Sequence, residues 1–180
     1  MKIIIAKTAG FCFGVKRAVD MAFEMALKKQ KGIFTLGPII HNPQLIEDLR
    51  EKGIAPIEDI NTAGIKAIII RTHGIPLQLM DKISAAGYKI IDATCPFVKK
   101  AQHYAKLLKE EGYQVIILGD REHPEVQGLM SYAGKNVVVV DGKSPLPKIK
   151  RNVGIVVQTT QPIEALKKLF GKVIEQAKDV

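Results

Sequence analysis

Residues that can do chemistry recur at matched spacing in this sequence. Its only cysteines are Cys12, in Gly10-Phe11-Cys12-Phe13-Gly14-Val15, and Cys95, in Asp92-Ala93-Thr94-Cys95-Pro96. Each follows a short apolar run, Ile3-Ile4-Ile5 or Ile90-Ile91, and opens an amphipathic stretch. His41 follows Cys12 at almost the same interval as His123 follows Cys95, the two offsets differing by a single position. Ile70-Arg71-Thr72-His73 is likewise answered by Val157-Gln158-Thr159-Thr160. A thiol where a strand gives way to a helix meets orphan N–H groups and the positive end of the helix dipole, a setting that suits a thiolate. A thiolate serves as a nucleophile or a metal ligand, and a buried structural thiol is the plainer alternative.

His41, His73 and His123 fall at strand ends beside helix N-termini, where imidazoles and backbone N–H groups suit a phosphate or diphosphate. Glu125 is either a general acid beside whatever His123 binds or a first-turn carboxylate favoured by the dipole. Thr159 and Thr160 either orient a polar ligand atom or cap a helix. His103 lies inside a predicted helix and reads as structural or solvent-facing. Zinc is disfavoured because no Cys-x-x-Cys or close Cys/His spacing exists, and a redox dithiol for the same reason. An iron–sulfur cluster needs thiolates, normally four and sometimes three, and two are present.

The two cysteines occupy the same slot of an internal repeat, Cys95 in the second copy answering Cys12 in the first. Such a repeat decides the architecture. Within 180 residues it implies two lobes of about eighty residues, each able to bury a modest core. Strands are expected over residues 2–6, 33–36, 65–70, 90–91, 115–118, 137–140 and 153–158, with a short segment near 57–60. Helices are expected over 13–30, 43–52, 76–86, 96–111, 123–132 and 162–180, from apolar spacing and from Gly and Pro punctuation. Alternating strand and helix predicts an α/β fold with small parallel sheets flanked by helices. Ligands of such sheets bind beyond the carboxyl ends of the strands, which is where Cys12, His41, His73, Cys95, His123 and Thr159 fall, in loops that could face one cleft.

Composition narrows the function classes. Hydrophobic residues make up 47% of the chain, which excludes disorder. No apolar run approaches the ~18 residues of a membrane span, and residues 1–6 are too short an apolar stretch for a signal peptide, so a cytoplasmic protein with no membrane partner is expected. The formal net charge is +9, but the basic residues are scattered and aromatics reach only 6%, so no nucleic-acid partner is expected.

The motifs Gly10-Phe11-Cys12-Phe13-Gly14-Val15, His41-Asn42, His73-Gly74, Asp92-Ala93-Thr94-Cys95-Pro96, His123-Pro124-Glu125-Val126 and Gln158-Thr159-Thr160 resemble those of the 4-hydroxy-3-methylbut-2-enyl diphosphate reductases of the non-mevalonate isoprenoid pathway. The resemblance covers essentially the whole chain. It implies a trefoil of three α/β lobes around a 4Fe–4S cluster, with Cys12 and Cys95 as two of three cysteine ligands. It also implies that His41, His73 and His123 bind the diphosphate, that Glu125 donates a proton and that Thr159 orients the hydroxyl. The implied reaction is reductive dehydroxylation to isopentenyl and dimethylallyl diphosphates, with electrons from ferredoxin or flavodoxin.

The chain departs from that family in lacking the third cysteine and third lobe. On this reading residues 1–13 form a strand and the first cysteine loop, which would pair with the missing lobe. Residues 14–95 form the first lobe and 96–180 the second, and this chain alone is expected to be weakly active or inactive. The alternative is a non-catalytic two-lobe module that binds an anion, or a cluster shared with a partner chain.

Overall fold

The computed structural model describes residues 2–4, 6–7, 9–149 and 152–177. It divides into two compact units, one of residues 1–72 with 91–95, the other of residues 73–90 with 96–180.

The first unit holds helix α1 (Phe13–Leu27), strand β1 (Ile33–Leu36), helix α2 (Pro43–Glu51), strands β2 (Ala55–Ile57) and β3 (Ala67–Ile70), and the end of strand β4 (Lys89–Asp92). The strand order is β2-β1-β3-β4. β1 runs parallel to both neighbours, with Phe34 opposite Ala55 and Ile33 opposite Ala67. Beyond β4 the ladder continues: Ala93 N–H donates to Ile70 O and Cys95 N–H to Thr72 O, at 3.2 and 2.9 Å. α1 buries Ala18, Val19, Ala22 and Met25, one face at helical spacing, against Ile33, Ala67 and Ile69 of the sheet and Leu45 and Leu49 of α2. α2 starts where Asn42 Oδ1 accepts from Leu45 N–H at 3.0 Å and Pro43 takes the first turn, the usual chemistry of a helix start.

The second unit holds helices α3 (Leu77–Ala85) and α4 (Pro96–Glu110), strand β5 (Gln114–Leu118), helix α5 (Pro124–Ala133), strands β6 (Val137–Val140) and β7 (Val153–Val157), and helix α6 (Ile163–Ala177). Its sheet is β6-β5-β7, all parallel, with Val115 opposite Val137 and Gly154. Central β5 is apolar nearly throughout because both its faces are covered. Val115 and Ile117 meet Ala105 of α4 and Val126 and Leu129 of α5. Ile116 and Leu118 turn the other way, onto Leu169 of α6. Gly154 lets α4 approach β7 closely, since a Cβ there would lie 2.5 Å from Leu108.

The α/β architecture with small parallel sheets flanked by helices agrees with the sequence reading. Three local expectations change. Residues 2–4 and 6 form no strand, Ile5 lying outside the described residues. Ile3 and Ile4 are exposed, and a strand forms only where a neighbour accepts its hydrogen bonds. The segment expected near 57–60 is β2, two residues earlier. Residues 73–90, read with the first lobe, fall in the second unit. The reason is local: Leu77 N–H donates to Ser131 Oγ of α5 at 2.9 Å, and that hydroxyl donates to Gly128 O at 2.6 Å.

Candidate functional site

In the first unit both thiols gather at one helix end. Cys12 is the N-cap residue of α1, in extended conformation, exposed, with no side-chain hydrogen bond to the helix. Gly14, buried in the first turn, faces Cys95: a Cβ on Gly14 would stand 2.5 Å from Cys95 Sγ. Three contacts hold the Cys95 loop there. Cys95 N–H is tied to Thr72 O, Thr94 N–H donates to Asp92 Oδ1 at 3.0 Å, and Arg17 of α1 donates to Thr94 O at 3.3 Å. The two thiols therefore flank a single helical turn whose N–H groups point outward, the setting in which thiolates serve as ligands.

Two soft donors so placed fit two positions of a thiolate-held iron–sulfur cluster. They do not complete one: no group of three or more His, Cys, Asp or Glu suited to a metal exists among the described residues. His41, exposed, directly precedes the Asn42 cap of α2 in the same unit.

In the second unit four of the expected residues meet. His123 is the N-cap of α5, and its Nδ1 accepts from Glu125 N–H at 3.1 Å. A ring nitrogen that accepts carries no proton, so the neutral imidazole keeps its hydrogen on Nε2. The His73 ring packs edge-on against the His123 ring, centroids 5.1 Å apart. Residues 73–77 run along α5, the His73 and Ile75 carbonyls lying 4.0 and 3.8 Å from where a Cβ on Gly128 would stand, at ordinary contact distance.

Glu125 is 1% exposed, and its carboxylate is held by one residue through both oxygens. Thr159 N–H donates to Oε1 at 2.7 Å and Thr159 Oγ1 to Oε2 at 2.9 Å. Thr159 is itself exposed at the end of β7. The pair thus joins a buried carboxyl group to a surface hydroxyl, an arrangement along which a proton can move.

Thr160 bonds elsewhere, accepting from Gln158 Nε2 at 3.0 Å. Gln158 and Gly119 carried no role in the sequence reading, yet they position Thr159. Gln158 is buried, and its Oε1 accepts from Asp120 N–H at 3.0 Å, pinning the end of β7 to the end of β5. Gly119 makes this possible, because a Cβ there would lie 2.8 Å from Gln158 Oε1 and 2.7 Å from Val126. The sequence showed Gln158 only as a member of the repeat and of the Gln158-Thr159-Thr160 motif, and Gly119 only as a glycine directly after an apolar strand, which marks a close approach as well as a turn. His103 is exposed on α4 against Tyr104, outside both groups.

A family profile described as LytB protein matches residues 3–180. The chain is 47% identical over 183 residues to the 4-hydroxy-3-methylbut-2-enyl diphosphate reductase of Trichlorobacter lovleyi and 45% identical over 182 residues to that of Pelobacter propionicus, in each case over 100% of this chain and 65% of the relative. It thus spans just under two thirds of the length of these relatives. Among solved structures it is similar to (E)-4-hydroxy-3-methyl-but-2-enyl diphosphate reductase, described as the terminal enzyme of the non-mevalonate pathway, with a TM-score of 0.86 and 41% identity over 98% of this chain and 64% of the other. The corresponding enzyme from Plasmodium falciparum matches with a TM-score of 0.81 and 28% identity, over 96% of this chain and 55% of the other. Motifs, fold and profile agree over nearly every residue, and the chain belongs to the LytB protein family.

Proposed function

We propose that this chain carries the cysteine pair and the acid of a reductase that removes the hydroxyl of 4-hydroxy-3-methylbut-2-enyl diphosphate. The substrate class comes from the name shared by its relatives. The reaction consumes two electrons and two protons: the allylic C–O bond breaks, a C–H bond forms, water leaves, and isopentenyl and dimethylallyl diphosphates result. The observation that carries the reading is the grip of buried Glu125 on exposed Thr159 beside the paired imidazoles.

Thr159 Oγ1 accepts the substrate hydroxyl and orients it. With Glu125 protonated on Oε2 the bond seen here reverses: Oε2–H donates to Thr159 Oγ1, the threonine hydrogen turns to the substrate oxygen, and each proton moves one place as the hydroxyl leaves as water. His123 offers Nε2–H to a diphosphate oxygen, its Nδ1 being engaged by Glu125 N–H. His41 and His73 complete the diphosphate ligands on this reading. Cys12 and Cys95, with a third thiolate that this sequence does not contain, would hold a 4Fe–4S cluster, which when bound supplies electrons singly and a Lewis-acidic iron. Ferredoxin or flavodoxin delivers the electrons, in the cytoplasm.

The test is anaerobic reconstitution with iron and sulfide, then single-turnover product analysis by mass spectrometry after chemical reduction. Bound iron is expected in the native chain and its loss in Cys12→Ala. Product is expected to form slowly and to fall by about 10²–10⁴-fold in Glu125→Gln, the range for a general acid. Product formation indifferent to Glu125→Gln would overturn the role given to that residue.

The absence of a three-donor metal group among the described residues favours a second reading, in which this chain is a non-catalytic module sharing a cluster with a partner. It predicts iron uptake that rises with protein concentration and no product at any iron loading.

A further inference from the structure

The repeat places an arginine where the second unit has a glutamine. At the carboxyl end of the second sheet Gly119 follows β5, Asp141 follows β6 and Gln158 follows β7. Their counterparts in the first sheet are Gly37 after β1, Glu58 after β2 and Arg71 after β3. The backbone frames agree: Gly119 N–H donates to Val140 O at 2.9 Å, and Gly37 N–H to Ile57 O at 2.8 Å. The side chains lean alike. A Cβ on Gly119 would lie 2.8 Å from Gln158 Oε1, and one on Gly37 would lie 3.0 Å from Arg71 Nη1.

What differs is the group that each side chain finds. Gln158 Oε1 accepts from the N–H of Asp120, the residue after Gly119. The residue after Gly37 is Pro38, which has no N–H to give. An acceptor would stand idle there, and Arg71 is a donor alone. The Glu58 carboxylate acts on it from the end of β2, opposing burial, the larger influence, which pulls the guanidinium below its ordinary pKa. Arg71 Nε is buried with no hydrogen-bond partner. A buried cation left one donor short is destabilising in itself, so packing alone does not account for it.

The next residue shows what the arginine steadies. Thr72 N–H and Oγ1 both donate to Ile39 O, at 3.4 and 3.3 Å, joining the end of β3 to the turn after β1. Bonds of that length are weak. Thr72 O in turn accepts Cys95 N–H at 2.9 Å. The place of Cys95 therefore depends on whatever else holds the ends of β1 and β3 together.

We propose that Arg71 is a positioning residue: its guanidinium reaches over Gly37 towards Glu58 and draws the carboxyl ends of β3, β1 and β2 together, as Gln158 joins β7 to β5, so that Thr72 holds the Cys95 backbone at the head of α1. Its consequence for catalysis rests on the reading of Cys95 as a cluster ligand.

The experiment is residue-resolved amide hydrogen exchange of the full, reduced chain at Cys95, with the amides of Ala22 and Met25 in α1 reporting the opening of the unit as a whole. Alkylation of Cys95 relative to Cys12 is followed by mass spectrometry. Arg71→Met keeps an apolar stem and removes the guanidinium, and Glu58→Gln removes the opposing charge. Arg71→Met should speed exchange at Cys95 by roughly tenfold and raise the Cys95 to Cys12 alkylation ratio, while the α1 amides keep their rates. Glu58→Gln should act in the same direction, and the double variant should go no further than Arg71→Met, because both act through one contact. Unchanged Cys95 exchange in Arg71→Met would overturn the proposal. Acceleration shared equally by α1 would overturn it too, by making Arg71 a packing residue only. Effects that add in the double variant would overturn the reach to Glu58. Neither readout uses iron, so a chain that takes up no iron would count against the cluster reading alone.

Discussion

Glu125 and Thr159 stand far apart in the sequence and meet through two hydrogen bonds, one to each carboxylate oxygen. A carboxylate buried this deeply is tolerated because both its oxygens accept hydrogen bonds. Thr159→Val removes the hydroxyl and leaves Oε2 unpaired. Urea denaturation should register a loss of about 1–3 kcal/mol, the cost of an orphaned buried polar group, and Thr159→Ser should recover most of it. At His123 the accepting Nδ1 predicts an Nε2-protonated neutral ring, readable from the nitrogen chemical shifts. Much of this was legible at the level of residue type. The repeat singled out the two cysteines with His41 and His123, because nearly equal spacing in two copies is hard to reach by chance. The sequence left Glu125 between two readings, acid or dipole partner, and its bond to Thr159 was illegible: that contact depends on how the ends of α5 and β7 are brought together, which no local spacing encodes. Gln158 was visible as part of a motif, but its bond to Asp120 was hidden for the same reason, since a buried glutamine and an exposed one look alike in a sequence.

Among the elements, two positions show how close approach rather than pattern sets the geometry. Gly14→Ala would drive a methyl into Cys95 Sγ, so the Cys95 loop must move or α1 must start differently. Overpacking of this kind costs about 1–3 kcal/mol, and a thermal melt should show it together with faster alkylation of Cys95. The loop after β6 is shaped by Asp141, whose carboxylate accepts from the backbone N–H groups of Ser144 and Lys143, both at 2.8 Å. Those bonds hold its carboxyl below the usual range. The contribution to stability is therefore present above the unfolded-state value and fades as pH falls through the lower folded-state value. Asp141→Asn should flatten that acid limb, as followed by denaturant midpoints across an acidic pH series. Most strands and helices were readable because apolar runs bounded by Gly and Pro leave few alternatives. Residues 2–6 look as strand-like as β4, and four of their five residues are the same. What separates the two is the partner: Cys95 and Ala93 have carbonyls of the β3 segment to bond, and Lys2, Ile3 and Ile4 join no ladder.

At the scale of the whole chain, the repeat announced two lobes, and two compact units exist. Where one ends and the other begins was not legible. The period places residues 73–90 with the first copy, whereas the bond from Leu77 to Ser131 and the packing of His73 on His123 place them with the second. A piece ending at Cys95 should leave α3 without its partner, and limited proteolysis should then cut within residues 77–85 while the same stretch resists in the full chain. The repeat also separates two things usually taken as one, the unit that was copied and the unit that folds. A duplication of this kind reproduces a sequence whose tail was already committed to whatever followed it. Shuffling such segments between related genes would succeed at seams that respect the contacts, at 72/73, 90/91 and 95/96 together. A single crossover at the sequence boundary would hand α3 a stranger to pack against.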